Sequence, residues 1–281
     1  MRLASAGPFL FPARCVGAVR RVARHAHAAV SAISGALALA ACAPHPIHGG
    51  SAPARTAANE PLSIAPGVRV DRGSRTVIVD ATVTLNQGFL EQLACTPSTR
   101  VHESLVAIDA SPRELHAALL LAGLEPGAPG TWREVADATG QWTVDRVRPT
   151  GPRLDISVRW TAADGACRAM PILAWVRRID PSDDPARAPE GEAMSPNGHL
   201  VFSGSRIRPN TASMGPGEHY VADLTGSVVG LVTFGDEVIA YDEVIADRAE
   251  VDAPAWVAWT DRIPPEGTRV ELLIRAQGEG R

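Results

Sequence analysis

From residue 62 onward, short runs of alternating apolar and polar residues dominate the chain. Thr76–Leu85 is the clearest: Val77, Val79, Ala81, Val83 and Leu85 share one side of a two-residue period, the pattern of a strand with one buried face. Similar runs predict strands at 68–70, 89–95, 102–108, 143–147, 153–160, 169–176, 200–204, 220–222, 227–234, 238–240, 256–260 and 268–275. Thr96-Pro97-Ser98-Thr99 reads as a turn, which would make 89–95 and 102–108 a hairpin. One helix is signalled, at 111–122. Ser111-Pro112-Arg113-Glu114 is a capping box with Pro at the first helical position, and Gly123 ends the segment. Residues 180–198 are rich in Pro and Asp without an apolar period and predict a surface loop. The fold class expected is α+β, mainly antiparallel β, as a single domain over 62–276 with one short helix and a tail at 277–281.

Composition supports a turn-rich chain. The 281 residues include 25 Gly and 23 Pro. All 27 basic residues are Arg, which reads as the mark of a GC-rich genome rather than a binding code. Every one of the 31 acidic residues lies beyond residue 41, so the body is acidic, which argues against a nucleic-acid partner. The absence of a Walker loop or a Gly-x-Gly-x-x-Gly fingerprint argues against nucleotide chemistry.

The first 41 residues are different in kind. Arg2, Arg14, Arg20, Arg21 and Arg24 precede an apolar run from Ala28 to Ala41 that is too short to span a bilayer. A basic region, an apolar region and small residues before a cut site make a secretory signal. Leu39-Ala40-Ala41-Cys42 is similar to the lipobox of bacterial lipoproteins. That resemblance implies cleavage before Cys42, lipid on its thiol and acylation of the new amino group. The expectation is a signal peptide at 1–41, a flexible Ala/Pro/Gly/Ser tether at 42–61, and a membrane partner reached through the N-terminal lipid. The location expected is the bacterial cell envelope, periplasm-facing or on the outer surface. His45 and His48 fall in the tether and read as solvated.

Several segments of the body resemble the YdjY-type domain. They are Phe89-Leu90-Glu91-x-Leu93-x-Cys95, His102-Glu103-Ser104-Leu105, and Leu115-His116-Ala117-Ala118-Leu119-Leu120-Leu121-x-Gly123-x-x-Pro126-Gly127. Leu200-Val201-Phe202-Ser203-Gly204-Ser205, Tyr220-x-Ala222-Asp223 and Ile263-Pro264-Pro265-x-Gly267-Thr268 fit as well. The likeness runs from about Val77 to Ile274. Two places depart from the pattern, Thr99-Arg100-Val101 before His102 and His199 before Leu200. The resemblance implies a secreted or lipid-anchored bacterial domain and supplies no activity, substrate or cofactor.

The candidate polar cluster is Glu91, Cys95, His102, Glu103 and His116. In a hairpin, Cys95 and His102 would face each other across the turn as a thiol–imidazole pair steadied by Glu91 or Glu103. Cys95, His102, Glu103 and His116 are also possible Zn ligands by type, although no close ligand spacing supports a metal. Against both stands a structural reading: a buried Cys, carboxylates paired with Arg100 or Arg113, and His116 bonded to a backbone carbonyl. A disulfide between Cys95 and Cys167 would remove the nucleophile. Trp160 and Trp175 are expected in the core. Asp236, Glu237, Asp242, Glu243 and Asp247 read as a solvated acidic face. Ser203-Gly204-Ser205 lacks the order of a nucleophile elbow. The function favoured is a non-enzymatic envelope role without a cofactor, binding a peptide, glycan or protein. The alternative is a thiol- or metal-dependent enzyme centred on Cys95 and His102.

Overall fold

A computed structural model describes residues 60–178 and 198–278. The signal peptide, Cys42, most of the tether with His45 and His48, and nearly all of the 180–198 loop lie outside the described residues. In chain order the strands are β1 (Leu62–Ala65), β2 (Val68–Asp71), β3 (Thr76–Val83), β4 (Gln92–Cys95) and β5 (Ser104–Ile108). After helix α1 (Pro112–Leu121) come β6 (Thr131–Ala136), β7 (Trp142–Val147), β8 (Arg153–Thr161), β9 (Cys167–Pro171) and β10 (Val176–Arg178). The second stretch holds β11 (Leu200–Phe202), β12 (Ile207–Pro209), β13 (Glu218–Tyr220) and the short helix α2 (Val221–Thr225). It ends with β14 (Ser227–Gly230), β15 (Ile239–Tyr241), β16 (Trp256–Ala258) and β17 (Arg269–Ala276).

Eight of these strands close into a barrel in the order β3–β17–β8–β11–β15–β14–β4–β5, with β5 pairing back to β3. Strands β1 and β2 extend the sheet beyond β3, and β9 extends it beyond β8. Strand accounts for 43% of the structure and helix for 14%, so the expected α+β class is wrong and the fold is mostly β. The reason is visible at α1. The helix forms where expected, but it docks against β1, β2 and β3 through Leu115, Ala118 and Leu119 and builds no helical layer.

Local chemistry explains α1. Ser111 Oγ accepts the Glu114 N–H, and the Glu114 carboxylate accepts the Ser111 N–H. At the other end the Leu124 N–H reaches Leu119 O and the Gly123 N–H reaches Leu120 O, with Gly123 at φ +86°. That is a Schellman ending.

Strands β3, β8 and β17 keep their two-residue period. Leu154, Ile156, Val158 and Trp160 of β8 and Val270, Leu272 and Ile274 of β17 point into the core beside Val77, Val79 and Ala81 of β3. Each fully buried Leu, Ile or Val contributes about 1.5–3 kcal/mol of hydrophobic stabilisation.

The hairpin expected at 89–108 does not form. β4 and β5 pair in parallel, Gln92 opposite Ser104 and Ala94 opposite Val106. The chain returns through a Thr96–Thr99 turn and a 3₁₀ turn at Val101–Glu103. β14 and β15 also pair in parallel, joined by residues 231–238. These two crossovers touch, because the Arg100 guanidinium stacks 3.7 Å from the Phe234 ring centroid.

Candidate functional site

Three separate parts of the chain build one cavity of about 480 Å³. Helix α1 presents Arg113, His116, Ala117 and Leu120. The turn after it presents Pro126 and Gly127. The link from β11 to β12 presents Ser203, Gly204, Ser205, Arg206 and Ile207, and Tyr220 closes the ring from the end of β13. The volume suits a drug-sized ligand or a short peptide.

The β11–β12 link is shaped by its backbone. Gly204 lies at φ +84° and Ser205 at φ +57°, a conformation a serine adopts at a cost. A side chain at Gly204 would also stand 2.5 Å from Pro126 Cβ, so the close approach requires glycine. The turn is pinned by the Gly204 N–H to Val238 O and the Ser205 N–H to Glu237 O, both 2.9 Å.

His116 carries the chemistry of this cavity. Its Nδ1 lies 2.9 Å from the Tyr220 hydroxyl, which donates to the Gly204 carbonyl at 2.9 Å. With its proton committed to Gly204, the hydroxyl accepts from Nδ1–H. In the neutral ring this leaves Nε2 as an acceptor, and among the described residues no hydrogen bond to Nε2 is seen. Burial favours the neutral ring, lowering the His116 pKa from its usual 6.5 against a hydrogen bond to the Gly204 carbonyl that raises it. Burial also pushes the Tyr220 phenol well above its ordinary range, so it remains a donor. The His116 ring meets Phe202 and Tyr220 edge-on, with centroids at 5.0 and 5.5 Å. Arg113 is tied to Asp223.

The candidate cluster read from sequence is split by the fold. Glu91, Glu103 and His102 do meet. Arg100 Nη1 bridges Glu91 at 3.3 Å and Glu103 at 3.0 Å, and His102 Nε2 lies 3.6 Å from Glu103 Oε2. Burial, with the Glu103 carboxylate beside it, pushes the Glu91 pKa up to about 7. His102 and Glu103 sit in a 3₁₀ turn, so the alternation of a strand does not part them. Cys95 stands behind this group, wholly buried, with its thiol pKa raised by burial; its hydrogen-bonding neighbours are Ser104, Thr99 and the Arg100 backbone. His102, three-quarters exposed, does not face it. The thiol–imidazole pair is thus absent, since the parallel crossover carries His102 outward. His116 belongs to the other site.

Cys95 and Cys167 are both free. They cannot bond, because β4 and β9 lie on opposite sides of the barrel, with β14, β15, β11 and β8 between them one way and β5, β3, β17 and β8 the other. Among the described residues no group of three or more His, Cys, Asp or Glu is placed to hold a metal ion, and the four residues considered for Zn do not converge. The acidic stretch at 236–247 is not a solvated face at its start. Glu237 is wholly buried, and its Oε1 accepts from the Phe234 and Gly235 N–H groups. Trp160 and Trp175 are in the core as expected, edge-to-face at 5.5 Å.

Arg206 and Tyr220 were not singled out as site residues from sequence, since they sit about 100 positions from His116. A signal existed. The segments at 115–127, 200–205 and 220–223, which carry the likeness to a known domain, converge on this cavity.

Barrel and cavity together define a β-barrel domain with a ligand-sized recess walled by a helix and a strained turn. The chain belongs to the YdjY domain family, whose match covers residues 68–275. Neither the curated proteins nor the solved structures contain a match to it.

Proposed function

We propose that this chain is a lipid-anchored protein of the bacterial cell envelope whose YdjY domain binds a partner non-enzymatically at the His116–Tyr220 cavity. The observation that carries the binding role is the cavity itself, an apolar recess with a few convergent polar groups, which is the usual form of a ligand site. The anchor rests on the Arg-rich leader and on Leu39-Ala40-Ala41-Cys42. The burial and raised pKa of the Cys95 thiol argue against the thiol-enzyme alternative.

Two experiments test the two parts. Cys42→Ala expressed in a bacterial host should release the protein from membranes, and continued retention with an unshifted mass would reject the anchor. A photo-crosslinking amino acid at Ile207, 67% exposed at the cavity edge, should give one discrete adduct in cells. Filling the recess with Ala117→Trp should abolish it. No adduct, or an adduct indifferent to Ala117→Trp, would reject the cavity as the binding site.

A further inference from the structure

The cavity contains two polar groups that the protein itself leaves without partners. Arg206 is half-buried in its wall, and among the described residues it has no carboxylate, carbonyl or aromatic partner. Its guanidinium lies against Gly235, where a side-chain carbon would stand 3.0 Å from Nη2. Other half-buried arginines are satisfied: Arg69 by Asp80 and Glu271, Arg100 by Glu91 and Glu103. A guanidinium without a protein acceptor is open to a charge-assisted pair with an anion from outside. The second group is His116 Nε2, a bare acceptor fixed by the Tyr220–Gly204 chain.

Apolar surface surrounds them. Leu120 is 47% exposed and Ile207 67% exposed, and both line the recess with Ala117 and Pro126. The occupant must therefore carry an anion for Arg206, an N–H or O–H donor for His116 and an apolar group for Leu120 and Ile207. An acyl carboxylate has the anion and the apolar chain but no donor for His116. A neutral glycan has donors but no anion, and covers the apolar wall poorly. A peptide C-terminus has all three within one residue.

We propose that the cavity binds a short peptide ending in an apolar residue with a free α-carboxylate. The carboxylate pairs with Arg206, the last amide N–H donates to His116 Nε2, and the last side chain lies on Leu120 and Ile207. This names the ligand class of the site proposed above and rests on that reading.

The test is fluorescence anisotropy on the full chain in lipid nanodiscs. The probe is fluorescein-labelled Gly-Gly-Leu-Leu as the free acid, with its C-terminal amide as comparison and decanoate as competitor. The acid should bind saturably and the amide about tenfold more weakly, the size of one lost charge-assisted contact. Arg206→Met, which keeps the stem and is checked for an unchanged thermal melt, should remove the preference for the acid. Decanoate should compete only weakly. Equal binding of acid and amide, a preference that survives Arg206→Met, strong competition by decanoate, or no binding of either peptide would overturn the ligand class. The crosslink at Ile207 is read separately. An adduct that disappears with Ala117→Trp keeps the cavity as a binding site even if the peptide fails.

Discussion

The two halves of the barrel follow different rules. Across β3, β17 and β8 one face is core and the other is wet. The wet side next to β2 carries a chain of ion pairs, Arg69 to Asp80 at 2.6 Å, Arg69 to Glu271 at 2.8 Å and Arg159 to Glu271 at 2.6 Å. Across β15, β14, β4 and β5 every residue is buried, so both faces are covered. Part of that cover is the β10–β16 ribbon, held where the Leu90 N–H donates to Trp256 O and the Ala258 N–H to Gly88 O. This half holds both parallel crossovers and the buried polar residues Gln92, Ser104, Ser227 and Glu237. Adjoining it, β11 leads directly into the strained turn of the cavity. Polar groups that would be costly in a simple core are thus concentrated in the covered half, while the recess lies between α1, docked on β1, β2 and β3, and the turn after β11.

The largest effect expected from breaking this division is at Phe202. It is wholly buried on β11 and packs edge-on against His116. Phe202→Ala should cost about 3–5 kcal/mol in urea unfolding and loosen the cavity wall. A loss under about 1 kcal/mol would show that β11 is not load-sharing with the core.

The next effect is pH dependence from Glu237. Burial raises its pKa to about 7, and among the described residues Oε2 has no hydrogen-bond partner. A carboxyl with a raised folded pKa favours the folded state fully below its ordinary value near 4.5. That contribution is lost as pH rises through about 7. The loss should be about 3 kcal/mol between pH 4.5 and 7.5. Glu237→Gln, which keeps the acceptor for Phe234 and Gly235, should flatten this part of the profile in unfolding curves taken across the range. Glu91, also raised to about 7, adds a smaller change of the same sign. An unchanged slope in Glu237→Gln would refute the assignment.

On the wet half the expected effect is small. Glu271→Gln should cost about 0–1 kcal/mol and lose that cost at high salt, because the pairs are about one-third exposed. The smallest expected effect is none. Iodoacetamide should modify exposed Cys167 and spare Cys95 until the protein unfolds, and His102→Ala should leave Cys95 unreactive. Rapid Cys95 alkylation that depends on His102 would restore the thiol–imidazole pair.

What could be read from the chain divides along the same line. β3, β8 and β17 show their period because one face is wet, and Ser111, Glu114 and Gly123 announce α1 because caps are local. The covered half has no such contrast. Thr96-Pro97-Ser98-Thr99 does turn the chain, but nothing local distinguishes a hairpin, which would set His102 beside Cys95, from the parallel return that forms. Glu237 looks solvated among its acidic neighbours, and only the fold shows it buried under Gly230, where a side-chain carbon would meet Glu237 Cγ at 2.7 Å. His116 was visible as a candidate. Its partners Tyr220 and Gly204 were not, since closure of the barrel brings them together.

A neutral His116 holds Nδ1–H to Tyr220 and offers Nε2 to the cavity. Long-range proton–nitrogen correlation spectra of the chain with ¹⁵N-labelled histidine, recorded across pH, observe this directly. The prediction is that His116 is in the Nδ1–H tautomer with a midpoint below 6.5, moving to Nε2–H or losing that midpoint in Tyr220→Phe. A His116 signal in the Nε2–H tautomer, or a midpoint at or above 6.5 in the unaltered chain, would contradict it.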